Sequence, residues 1–137
     1  MKLLNPGHLI DGFEVEACLH AGGMAHIYKV VYAPSDDGTR RAAEFPMAMK
    51  IPRMTAGDGA ENIVSFEIEL QILATLKGPH VPRFVAAGDL SRVPYLVMEY
   101  VDGVNLRQAM RAGRFTPSQA LGVVPKICDA LQYAHEE

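Results

Sequence analysis

Tyr95-Leu96-Val97-Met98-Glu99-Tyr100-Val101-Asp102-Gly103-Val104-Asn105-Leu106-Arg107 is the stretch at which the chain changes character. Residues Tyr95 to Tyr100 are apolar and aromatic in the manner of a strand, and from Asn105 onward the apolar spacing becomes helical. On the N-terminal side of this junction the chain reads mainly as strands around one helix. On the C-terminal side it reads as helix alone, so the fold class expected is α+β.

Working back from the junction, Arg83 to Ala87 is a second strand-like run, joined to Tyr95–Tyr100 by a turn around Asp89 to Val93. Before the breaker Gly78-Pro79, Ile63, Phe66, Leu70, Leu73 and Leu76 recur at helical spacing up to Lys77. Asp58 and Glu61 have the spacing of a capping box at that helix's start. Met47 to Ile51 reads as another strand, after the polar turn chemistry of Pro34 to Arg41. Phe13 to Leu19 alternates, with Phe13, Val15, Ala17 and Leu19 on one face, and Ala25 to Tyr32 resumes after His20-Ala21-Gly22-Gly23-Met24. These two runs predict a hairpin with a glycine tip. Five strands are expected in all. Beyond the junction a short helix runs to about Arg111. A longer one begins at Thr116-Pro117-Ser118-Gln119, which offers an N-cap, a proline at the first helical position and a glutamine at the third, with Pro125 bending its first turns.

The 137 residues are 49% hydrophobic and 21% charged, a globular composition that excludes disorder or fibre for the whole chain. Thirteen Lys and Arg against 16 Asp and Glu leave a formal charge of −3, too mild to point to a nucleic-acid or membrane partner. Cys18 and Cys128 stand far apart, with neither a disulfide framework nor a zinc spacing, and fit a reducing compartment. With no apolar window of membrane-spanning length and no leader pattern, a cytoplasmic location is expected.

Two features carry chemistry. Glu69 falls within the apolar stripe of its helix, where a carboxylate needs a cation. Lys50 in Ala48-Met49-Lys50-Ile51 is a cation flanked by apolar residues, so a Lys50–Glu69 pair is expected. The alternative is that Glu69 bends to the helix edge and Lys50 points to solvent from an edge strand. Gly22-Gly23 at a hairpin tip lets backbone lie close over an anion, or is simply a tight turn.

In this order, a glycine hairpin, an Ala-x-Lys strand, a helix with an inward Glu and the Met98 to Gly103 strand end resemble the N-terminal half of a protein kinase. The resemblance is nearest to the bacterial eukaryotic-like (Hanks-type) Ser/Thr kinases. Leu19 to Tyr28 looks like the glycine-rich loop GxGxxGxV; Gly22 matches the middle glycine, whereas His20 and Ala25 stand at the other two and Ile27 at the valine. The resemblance implies a five-stranded N-lobe with helix C over residues 12–101, a lead-in over 1–11, and the hinge exit and first C-lobe helices over 102–137. It implies that Lys50 holds the α and β phosphates of ATP and pairs with Glu69, and that Gly22, Gly23 and Met24 cover those phosphates. It also implies that Leu19, Ile27 and Ala48 pack on the adenine, with Met98 as gatekeeper beside it. Backbone groups of Glu99 and Val101 would meet the adenine edge, and Asn105 would reach the ribose.

No HRDxxxxN or DFG occurs among these residues. The ligands for Mg²⁺ and the catalytic base are therefore expected in a C-lobe outside them, and this stretch alone is expected not to transfer phosphate. Two functions remain open: the ATP-binding portion of a Ser/Thr kinase acting on a protein substrate, with any membrane tether lying outside this segment, and a pseudokinase or nucleotide-sensing module. The last helix carries the stripe Val124, Ile127, Leu131 and Ala134, which predicts self-association through that helix. Light scattering across a concentration series is expected to show the mass rising above that of a monomer; a strict monomer at high concentration counts against it.

Overall fold

Alternating apolar residues separated by tight turns produce a single antiparallel sheet in the computed structural model, which describes residues 3–54, 59–113 and 116–136. Its strands are β1 (Leu9–Ile10), β2 (Phe13–Ala21), β3 (Ala25–Tyr32), β4 (Met47–Pro52), β5 (Phe84–Ala87) and β6 (Leu96–Glu99), in the order β1-β2-β3-β4-β6-β5. Helix α1 (Gly59–Thr75) follows β4, and α2 (Leu106–Arg111) and α3 (Pro117–Glu136) follow β6. The expected capping residue Asp58 lies outside the described residues.

The sheet has six strands rather than the five expected. The extra one, β1, is two residues long, too short to show a period, and pairs with β2 through the two-residue loop Asp11-Gly12, with Asp11 in the left-handed region at φ 49°. The segment before it is also tied down. Gly7 N–H donates to Val15 O, Val15 N–H donates to His8 O, and Leu4 N–H donates to the Tyr28 hydroxyl.

Strand β2 does not keep one face along its length. Register irregularities between Val15 and Ala17 and between Cys18 and His20 break the alternation, so Phe13 and Val15 are buried while Ala17 and Leu19 are exposed. The physical reason is an overhang: the second half of the hairpin runs past the packed core to its glycine tip. Behind it, Val15, Tyr28, Val30, Met49, Ile51 and Val97 form the centre of the core. Phe13 stacks on Tyr32 with ring centroids 5.5 Å apart.

Helix α1 buries Phe66 and half-buries Ile63, Leu70 and Leu73, with Leu76 half-buried just past its end, the stripe expected from their spacing, while Val64, Ile68 and Ile72 are exposed. Helices α2 and α3 are organised locally. Asn105 Oδ1 accepts the Gln108 N–H and Gln108 Oε1 accepts the Asn105 N–H; Thr116 and Gln119 do the same at the start of α3. Val124, Ile127 and Leu131 are exposed on α3.

Two buried polar groups generate predictions. The Tyr95 hydroxyl donates to Asp11 Oδ2 at 2.6 Å, joining the β1–β2 turn to the start of β6. Burial, then the Asp11 hydrogen bond and charge, push its ionisation up to about 12 from 10.0. This stabilisation is fully present below pH 10 and is lost as pH rises toward 12. Tyr95→Phe is expected to cost about 1–2 kcal/mol in urea unfolding at neutral pH, because it removes a hydrogen bond to a charged acceptor. His26 is buried with Nδ1 unpartnered among the described residues, and burial, followed by the charge of Arg53, holds its pKa below the ordinary 6.5. The unfolded imidazole therefore binds a proton that the folded one refuses, and stability is fully present above pH 6.5 and declines as pH falls below it. His26→Gln is expected to flatten that acid limb in pH-dependent denaturation.

Candidate functional site

The strand register assembles one face of the site. Ile27 stands opposite Lys50, which stands opposite Leu96; two residues along, Lys29, Ala48 and Met98 are opposite one another. Because directly opposed residues share a face, Ile27, Ala48, Lys50 and Met98 come together on it. Ala48 is buried and adds only a methyl group, leaving this surface shallow, while Ile27 and Met98 are half-buried.

Lys50 leaves β4 between the buried residues Met49 and Ile51. Its Nζ donates to both carboxylate oxygens of Glu69 at 2.8 Å. Glu69 is brought there by Phe66, one helical turn earlier, whose ring anchors α1 and turns the same face toward the sheet. The alternative of a solvated lysine and an edge glutamate is not the arrangement adopted. The side chains remain 25% and 37% exposed, so the pair adds only about 1 kcal/mol to stability. Its consequence is orientation: an ammonium held at a defined point above an apolar surface.

At the β2–β3 tip, Gly22 N–H donates to Ala25 O at 3.0 Å. A Cβ on Gly22 would lie 2.9 Å from His20 Nε2, the far end of a side chain, and 3.1 Å from Ala25 O, so the turn is tight at this position, whereas Gly23 faces open space. Leu19 and Met24 are exposed at this overhang. The tip is also held from the end of β4. Arg53 N–H donates to Met24 O at 2.8 Å, and its Nη1 reaches the carbonyls of Gly22 and Gly23 at 3.4 Å each. No period or motif in the sequence singles out Arg53; the available signal is a cation three residues beyond Lys50, where β4 leaves the sheet.

At the other end, Glu99 N–H donates to Arg83 O and Glu99 Oε2 accepts from Arg83 Nε at 3.1 Å, with the Arg83 guanidinium over the Phe45 ring. The Glu99 side chain is thereby held by Arg83. Val101 lies past the end of β6 and is exposed, and the Asn105 side-chain oxygen is engaged in capping α2. Among the described residues no group of three His, Cys, Asp or Glu could hold a metal ion, and no helix is long and apolar enough to cross a membrane. A separate groove of about 330 Å³ lies between Gly78–Val81 and the Asp129–Tyr133 part of α3 and shares none of these residues.

Comparison with known proteins gives a consistent result. The family model for protein tyrosine and serine/threonine kinases matches residues 13–137. Serine/threonine-protein kinase PknB of Mycobacterium tuberculosis is 31% identical over 98% of this chain, which covers 21% of that protein. A probable serine/threonine-protein kinase, pknA2, of Bifidobacterium longum is 32% identical over 95% of the chain and 17% of its own length. The crystal structure of the Mycobacterium tuberculosis PknI kinase domain superposes with a TM-score of 0.71 at 27% identity, covering 98% of this chain and 53% of that one. The chain thus spans about a fifth of these curated relatives and about half of a solved kinase domain. With a glycine hairpin, a lysine–glutamate pair across β4 and α1, and a sheet that leads into helices, the chain belongs to the protein tyrosine and serine/threonine kinase family.

Proposed function

We propose that these residues are the ATP-binding portion of a serine/threonine protein kinase that transfers the γ-phosphate of ATP to Ser or Thr of a protein substrate. The observation that carries this reading is the Lys50–Glu69 pair on the face shared by Ile27, Ala48 and Met98. A fixed ammonium beside a shallow apolar surface has the donor chemistry that a phosphate tail and a flat base require. Open space at Gly23 and the absence of any side chain beyond a methyl at Ala48 leave room for such a ligand.

In this reading Lys50 binds the α and β phosphates and Glu69 orients it. Backbone around Gly22, Gly23 and Met24 covers the phosphates, and Leu19, Ile27 and Ala48 bury the base with Met98 beside it. The Glu99 carbonyl and the Val101 backbone meet the adenine edge. Since its oxygen caps α2, Asn105 has its Nδ2 donor to offer the ribose. Mg²⁺ supplies neutralisation of phosphate charge in this reaction class. Its ligands, like the catalytic base, are assigned to kinase segments outside these residues, and this stretch by itself positions nucleotide without transferring phosphate.

Two free cysteines, Cys18 and Cys128, fit work in the reducing cytoplasm. The exposed stripe of α3 fits self-association when nothing else covers it. One observation favours a pseudokinase or nucleotide sensor as the second reading: the His20 ring packs against Gly22, where a glycine would leave the loop bare.

Calorimetry with Mg²⁺ and a non-hydrolysable ATP analogue tests the assignment. Lys50→Ala is expected to weaken binding about tenfold or more, the worth of a charge-assisted contact, whereas Glu67→Ala, on the exposed flank of α1, should change it less than about twofold. Equal effects of the two substitutions would overturn the site.

A further inference from the structure

Arg53 is bonded on both sides of the gap between the glycine hairpin and helix α1. Its backbone N–H donates to Met24 O and its Nη1 to the Gly22 and Gly23 carbonyls, all at the hairpin tip. Its own carbonyl accepts a hydrogen bond from Asn62 Nδ2 at 3.0 Å, and Asn62 lies in the first turn of α1. One residue at the exit of β4 therefore grips the tip with its N–H and guanidinium and the helix with its C=O.

The guanidinium contacts are long and share one nitrogen, so each is weak alone. Three features make them positional. The donor is charged and faces two successive carbonyls of a single tight turn. The Arg53 Nε is buried with no partner among the described residues, so the contacts that place the side chain are those of its Nη1. And burial, then the charge of Arg53, lowers the His26 pKa below its ordinary value, which disfavours a second cation beside the guanidinium.

We infer that Arg53 is a positioning residue, a latch that couples the glycine hairpin to helix α1 so that Gly22-Gly23 and Glu69 keep their places relative to Lys50. The coupling is short, because the N–H that holds the hairpin and the C=O that holds the helix belong to the same residue, with only its φ and ψ between them. It deepens the nucleotide-binding reading and rests on it for one consequence: shifting α1 loosens the loop that covers the phosphates, and so weakens nucleotide binding without any change at Lys50.

Hydrogen exchange of the hairpin amides tests the latch independently of nucleotide. Arg53→Gln removes the guanidinium, whereas Asn62→Ala removes the helix contact and touches no atom of the loop. Both are expected to speed exchange at residues 22–25 by about threefold or more, with Arg53→Lys intermediate and β6 unchanged. Faster exchange in Arg53→Gln with wild-type exchange in Asn62→Ala would overturn the coupling, and unchanged exchange in both would overturn the latch. If Arg53→Gln does not fold, Arg53→Lys and Asn62→Ala carry the comparison. Calorimetry with Mg²⁺ and the ATP analogue should then show Asn62→Ala raising Kd by a factor similar to its effect on loop exchange. If the unaltered protein binds no nucleotide, the functional reading fails, while the exchange comparison still decides the latch.

Discussion

A lysine that leaves a strand between two fully or nearly buried residues must find a counter-charge close by, because a half-buried ammonium without a partner costs more than a salt link returns. Lys50 finds that charge on α1, in Glu69 at 2.8 Å. Phe66 anchors α1 on the sheet and turns the same face of the helix inward, so that the carboxylate arrives where the ammonium needs it. Ile27, Ala48 and Met98 share the face of the sheet that carries Lys50 by register, the face proposed to receive nucleotide. The ion pair contributes little stability in its half-exposed setting, and its effect is geometric.

The rest of the site is built from places where the regular structure ends. The hairpin tip extends beyond the core because two register irregularities in β2 carry its second half away from the packed face. Arg53 holds that tip just after β4 leaves the sheet, and Arg83 holds Glu99 at the end of β6. Rigid strands thus set the positions of Lys50 and Met98, while side chains at strand ends constrain the backbone that surrounds them. This division suits a ligand whose charged end needs adaptable backbone and whose flat end needs a fixed surface.

The helices after β6 are held differently. Helix α2 buries no residue, and α3 leaves most of its apolar stripe exposed, so capping contributes more to their definition than packing does. Reciprocal capping boxes at Asn105–Gln108 and Thr116–Gln119 satisfy the first-turn N–H groups from within four residues of sequence.

This contrast explains what could be read from the chain alone. The amino-acid sequence by itself determined the features that depend on neighbours a few residues apart: the hairpin around Gly22-Gly23, the strand containing Lys50, the inward face of α1 and the capped start of α3. Each rests on a period or a short-range hydrogen bond, and the Lys50–Glu69 pair was legible because both charges interrupt apolar patterns. Strand β1 was also within reach, through Asp11-Gly12, but two residues make no pattern. Only the tertiary structure decided the loss of alternation beyond Val15, the capture of Asp11 by Tyr95 across 84 residues, the engagement of Asn105 in a cap and the grip of Arg53 on the glycine turn. Those depend on where the sheet's curvature brings distant strand ends, and no local spacing encodes a distance between segments that meet only after the core has packed.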